Sequence, residues 1–188
     1  MKKTNGKLNK TVKIVAKIFE IVHWAGIGLM VAVAICSIAA GDWLMSVLDT
    51  GAASNQTLSF YGYEVTFANS AGEVSPTAIL MFAIGTALIC PLMAMIFRNI
   101  YLIVKKSEGT TPFNNDNVRM LKEIGIFAIV IPIVGLIMGI ITSLVIGLDT
   151  VNYVHVNADG FIMGLIVLAL THIFAYGVEL EKDVDGLL

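Results

Sequence analysis

Positive charge is confined to three stretches of this chain, and that confinement limits what it can fold into. All 12 Lys and Arg residues lie at 2–17, at 98–122 or at 182, and none occurs from Ile18 to Phe97 or from Glu123 to Glu181. Four long apolar segments run through the two gaps, near 21–40, 77–97, 124–147 and 160–178. A helical span needs about 20 apolar residues, and short loops rich in Lys and Arg stay on the cytoplasmic side. The pattern predicts an all-α membrane protein, one domain over 1–188, with four transmembrane helices in a bundle at about 18–41, 76–104, 122–147 and 158–179. Both termini and the loop 105–121 are expected in the cytoplasm, with a small extracellular loop at 42–75 and the cell membrane as the location.

Composition agrees. The chain is 57% hydrophobic and 14% charged, against roughly 25% charged in soluble domains. The formal charge of −2 hides a polarity, because residues 1–17 hold six lysines and no acid while Asp42, Asp49, Glu64, Glu73, Asp149 and Asp159 fall on the outer side. The tail of Lys2, Lys3, Lys7, Lys10, Lys13 and Lys17 can touch anionic headgroups, and its simplest role is to set topology. No aromatic residues interleave these lysines, so the lipid bilayer is the expected partner and direct nucleic-acid binding is not. Ser37-Ile38-Ala39 has the small-x-small form of a cleavage site, yet Ile18–Ala40 is too long for a signal-peptide core, so span one is expected to be retained.

The outer loop holds a run of β-formers from Thr57 to Phe67, with Gly62 placed for a tight turn, so a β-hairpin is expected there. Trp43 suits an interface anchor at the end of span one. Asn55-Gln56-Thr57 is a formal glycosylation sequon, without meaning in a bacterial cell. Ser75-Pro76 opens span two, proline being welcome at a first helical position. Pro91 and Pro132 lie inside spans two and three, where each removes a backbone hydrogen bond and is expected to kink its helix.

In the loop 105–121, Thr111-Pro112 reads as an N-cap followed by N1. Phe113, Met120 and Ile124 then share one stripe with Asn117 and Leu121 at its edges, while Arg119, Lys122 and Glu123 point away. This predicts an amphipathic segment along the inner headgroup layer that runs into span three. It serves as an anchor, or as a docking face for a cytoplasmic protein through Pro112, Phe113, Asn117 and Arg119.

Gly135 and Gly139 in span three, and Gly160 and Gly164 in span four, form two GxxxG faces that let helix backbones approach. They are expected to pack on each other within one molecule; a homo-oligomer through one of them is the alternative. Glu20 and His23 share a face of span one, and His172 lies at comparable depth in span four, a candidate polar cluster inside the membrane. A haem or metal between His23 and His172 is the sharper reading, but one histidine per helix is a thin ligand set, so no cofactor is expected. Cys36 and Cys90 sit in apolar helices without a CxxC. No Walker A loop, GxSxG, HExxH or dinucleotide-binding turn occurs, and no enzymatic activity is expected. The acidic end Glu179, Glu181, Asp183 and Asp185 reads as solvated.

Two stretches carry a resemblance. Gly109-Thr110-Thr111-Pro112-Phe113 with Asn117, Leu121 and Ile124-Gly125 looks like a "G-x-PF…N…L..IG" signature, and Gly164–Leu170 followed by Ile173-Phe174-Ala175-Tyr176-Gly177-Val178-Glu179-Leu180 looks like its companion "GL..L.L…IF..G..L". Together they resemble the bacterial four-span family known as domain-of-unknown-function family 2975, most closely after Pro76. Its members often end in a short acidic "E.DLTV"-like tail, from which Glu181–Leu188 departs. The resemblance implies four transmembrane helices and no established enzymatic activity. It also implies an association with small helix-turn-helix regulators, hence a regulatory or sensory membrane protein acting on a cytoplasmic transcription regulator. Two alternatives come from other classes: a small transporter subunit or immunity-type membrane protein, and a haem or quinone redox protein using His23 and His172.

Overall fold

A computed structural model describes residues 2–48, 57–67, 74–108, 111–146 and 158–185. Asp49, Asn55, Gln56, Glu73, Gly109, Thr110 and Asp149, singled out above, lie outside the described residues. Among the described residues five helices and one hairpin occur in chain order: α1 (Lys2–Ala39), α2 (Gly41–Leu48), β1 (Thr57–Phe60), β2 (Tyr63–Thr66), α3 (Pro76–Lys106), α4 (Asn115–Ile146) and α5 (Ala158–Asp185).

Four of the helices are long and apolar enough to cross a membrane, at Gly6–Ala39, Pro76–Lys106, Asn115–Ile146 and Ala158–Val184. At 1.5 Å per residue the 31 residues of α3 reach about 46 Å, beyond a hydrocarbon core of about 30 Å, so its ends extend into headgroups and water. Large apolar side chains such as Ile38 and Leu144 are 75% and 71% exposed. Such exposure would be costly in water and is natural against lipid. This is a multi-pass membrane protein.

Helical structure does not end at Gly41–Trp43. Backbone bonds run to Cys36 O from Ala40 N and to Ala40 O from Leu44 N, 2.9 and 3.0 Å, so α2 follows α1 almost without a gap. Trp43 there is 60% exposed. The hairpin has the register Thr57↔Thr66, Leu58↔Val65, Ser59↔Glu64 and Phe60↔Tyr63. Tyr61 and Gly62 take φ of 50° and 86°, the two left-handed positions of a type I′ turn, which matches the right-handed twist of paired strands. Tyr63, Val65 and Phe67 alternate inward and are buried.

α4 differs from expectation at its start. Thr111 and Pro112 precede the helix, and Asn114 is the cap, its Oδ1 accepting from Asn117 N at 2.8 Å. Residues 115–121 are the first turns of one long helix, because nothing from Asn115 to Ile146 interrupts backbone bonding strongly enough to stop it. Met120 and Ile124 are buried within the protein, whereas Phe113 of the same stripe is 38% exposed.

The chain divides into two compact units. The first, here the basic unit, comprises Met1–His23, Leu92–Val130 and Asp159–Leu188. The second, the hairpin unit, comprises Trp24–Pro91 and Ile131–Ala158.

Candidate functional site

In the basic unit the loop before α4 is clasped to α5. Asn117 is 1% exposed; its amide nitrogen donates to Pro112 O at 2.9 Å and to Ser107 Oγ at 3.1 Å. Ser107 in turn donates to Ile103 O at 2.8 Å. One side chain thereby ties the end of α3, the loop and the start of α4 together. Its Oδ1 is buried without a hydrogen-bond partner. Thr111 Oγ1 accepts from Phe113 N at 3.1 Å and donates to Glu181 Oε2 of α5 at 3.2 Å. Phe113 lies against Phe174, with ring centroids 5.4 Å apart, and fills the space over Gly177.

Between this loop and α5 lies a cleft of about 280 Å³, lined by Thr111, Phe113, Asn114, Asn115, Glu181 and Lys182 among others. Of the four residues read as docking candidates, Pro112 and Arg119 are exposed, Phe113 is 38% exposed and Asn117 is enclosed. Asn117 is therefore part of the frame, and only its neighbours present a surface. Glu123 does not simply point away: Asn99, 3% exposed, donates to its Oε2 at 2.9 Å.

Glu20 and His23 are buried together on α1. Lys17 Nζ meets Glu20 Oε2 at 3.0 Å, which supplies the partner an ionisable group needs at that depth. His23 Nδ1 bonds Phe19 O at 2.7 Å, and its ring lies 5.4 Å from that of Phe97. His172 instead occupies an exposed position on α5. The buried polar residues here are thus Glu20 and His23, with the exposed Lys17 reaching Glu20 from the side, and His172 is not buried with them. Among the described residues no group of three or more His, Cys, Asp or Glu side chains could hold a metal.

Gly164 and Gly135 each have a close neighbour. Gly164 of α5 meets Gly125 of α4, where an added Cβ would stand 2.9 Å from Gly125 O. Gly135 lies under the hairpin turn, an added Cβ falling 3.6 Å from Tyr63 N. Gly139 and Gly160 are both half-buried. The close helix contact therefore joins Gly164 to Gly125, a residue that stood in no GxxxG pattern and so gave no sequence signal of packing.

In the hairpin unit Tyr63 is the anchor. It is 1% exposed; its hydroxyl donates to Met81 O of α3 at 2.9 Å and lies 2.8 Å from Thr142 Oγ1 of α4. Its ring stacks on Phe82 with centroids 6.0 Å apart, and Phe67 meets Phe82 edge-on. Burial pushes the Tyr63 phenol pKa up, the hydrogen bond with Thr142 opposing this in part.

A family model described as "Protein of unknown function (DUF2975)" matches residues 60–186, more than half of the chain. The chain belongs to the DUF2975 family. No curated protein and no solved structure matches it significantly. The DUF2975 match begins at the end of β1 and takes in the hairpin turn, α3, the clasp, α4 and α5. The two signature pieces that carry the likeness meet in space, since Phe113 of the first packs on Phe174 and Gly177 of the second.

Proposed function

We propose that the protein is a regulatory membrane protein whose basic unit faces the cytoplasm and binds a soluble partner at the clasp, with a small helix-turn-helix regulator as the expected class. Both termini are then cytoplasmic and the hairpin is extracellular, in line with the charge map. Binding rather than catalysis is the proposed activity.

The observation that carries the reading is the fixation of the loop 111–117. A partner bound to a floppy loop would have to spend binding energy ordering it, whereas a loop already held by Asn117, Thr111 and Phe113 presents a ready surface. Along the loop and the first turns of α4, Pro112, Asn115, Asp116, Arg119 and Lys122 are exposed, mixing an apolar ring with both signs of charge. That composition suits a polar protein interface rather than lipid.

The test is a photo-crosslinking residue at Asn115, and separately at Arg119, in native membranes. One soluble protein captured at both positions, and lost when the cleft is altered by Glu181→Lys, supports the reading. Capture of lipid alone, or of this chain alone, would end it.

A further inference from the structure

A second cleft in the basic unit, about 380 Å³, lies between α1 and the end of α3. Lys10, Lys13 and Lys17 from α1 and Lys105 from α3 line it, with Ile14 and Tyr101 between them. Positions 10, 13 and 17 recur at helical spacing, so the three lysines share one face. The Nζ atoms of Lys17 and Lys105 lie 5.5 and 5.8 Å from the centre of the same Tyr101 ring. A ring face attracts a cation but does not neutralise it.

The acids present do not balance this charge. Glu108, the one carboxylate lining the cleft, is paired with Lys13. Lys17 is paired with Glu20. Lys10 and Lys105 make no ion pair among the described residues. With Lys13 and Lys17 each paired to one carboxylate, Lys10 and Lys105 leave two uncompensated ammonium groups at the cleft, a site for an anion.

The position of the cleft says which anion. Lys17 is the last basic residue before the stretch free of Lys and Arg that begins at Ile18, so the cleft stands at the level where headgroups meet hydrocarbon. Ile14, Ile18 and Ile21 are 49%, 54% and 57% exposed. At that spacing they form an apolar stripe leading from the cleft into the membrane. An anion with a hydrocarbon chain attached fits both parts at once. We propose that this cleft binds the phosphate of an anionic glycerophospholipid, its acyl chain lying along the Ile14–Ile18–Ile21 stripe. Basic pockets between transmembrane helices are an established way to hold such headgroups.

This inference does not depend on the regulatory reading. The full-length protein in an uncharged detergent would be titrated with phosphatidylglycerol and with phosphatidylcholine, and bound lipid counted by native mass spectrometry. The expected result is tighter retention of phosphatidylglycerol, weakened about tenfold or more in the Lys10→Gln/Lys105→Gln variant. That variant leaves both internal ion pairs intact. Lys7→Gln/Lys122→Gln removes equal charge from exposed positions outside the cleft and is expected to bind within about twofold of the parent. Equal loss in both variants, or no preference between the lipids, overturns the proposal. Displacement of the lipid by an equal concentration of free glycerol 3-phosphate would assign the site to a soluble phosphate and overturn the lipid assignment.

Discussion

Phe113 lies over Gly177 so closely that a Cβ on the glycine would stand 2.6 Å from Phe113 Cδ1. The loop before α4 is thereby keyed into α5 by shape, beside the Thr111–Glu181 hydrogen bond. Gly177→Ala should lower stability by about 1–3 kcal/mol through overpacking. Phe113→Ala opens the space, so the double variant should lose less than the sum of the two single losses. Thermal unfolding of the three variants in detergent decides it, and strict additivity would show that the two residues do not share this contact.

Asn117 should be the costliest polar residue to replace in the clasp. Asn117→Leu removes both donated bonds and leaves two part-buried acceptors without this donor, a loss of about 1–3 kcal/mol. Asn114→Ala removes only the helix cap and should cost about 1 kcal/mol. If Asn114→Ala proves the more damaging in the same melts, the clasp depends on the cap and not on the Asn117 bridge.

Gly164 and Gly28 offer a contrast at equal chemistry. Gly164→Ala would place its Cβ 2.9 Å from the Gly125 carbonyl oxygen, a backbone atom that cannot swing aside, and should destabilise by about 1–3 kcal/mol. Gly28 has nothing within 4 Å of its Cβ position, so Gly28→Ala should be neutral or stabilising by up to about 1 kcal/mol through helix propensity. Melting temperatures that move the same way in both variants would contradict the Gly125–Gly164 approach.

Tyr63 should give the protein an alkaline weakness. Its phenol pKa is raised above the ordinary 10.0 by burial, so the folded state holds the proton more tightly than the unfolded chain does. The stabilisation is complete below the ordinary value and is lost as pH rises through the raised one. Tyr63→Phe should cost about 1–2 kcal/mol near neutral pH, because the bonds to Met81 O and Thr142 disappear. The gap between parent and variant should narrow above about pH 10. A gap that stays constant from about pH 8 to 11 would show that the buried phenol does not govern this behaviour.

Much of the fold was legible because its signals are local. Arg98 and Lys105 mark the end of α3 by charge, and the β-formers flanking Gly62 mark the hairpin by turn chemistry. The N-cap of α4 was misplaced at Thr111 because Thr-Pro and Asn-Asn-Asp both satisfy cap preferences. Only the Asn114 Oδ1 to Asn117 N bond distinguishes them. The candidate site was less legible. Asn117 and Arg119 are two residues apart on one helix, yet one is enclosed and the other exposed, and helical period alone does not say where the neighbouring helices lie.

The sequence by itself determined that this chain makes four membrane-length helices and a hairpin, since apolar length, charge position and turn residues act over a few neighbours at a time. Tertiary structure decided which glycines meet, what Phe113 covers, that His172 stands apart from Glu20 and His23, and that Lys105 joins the lysines of α1. Each of those depends on the approach of residues far apart in the chain. In lipid that approach is set by side-chain shape and small-residue contact rather than by the apolar pattern, because lipid is as apolar as the side chains that face it.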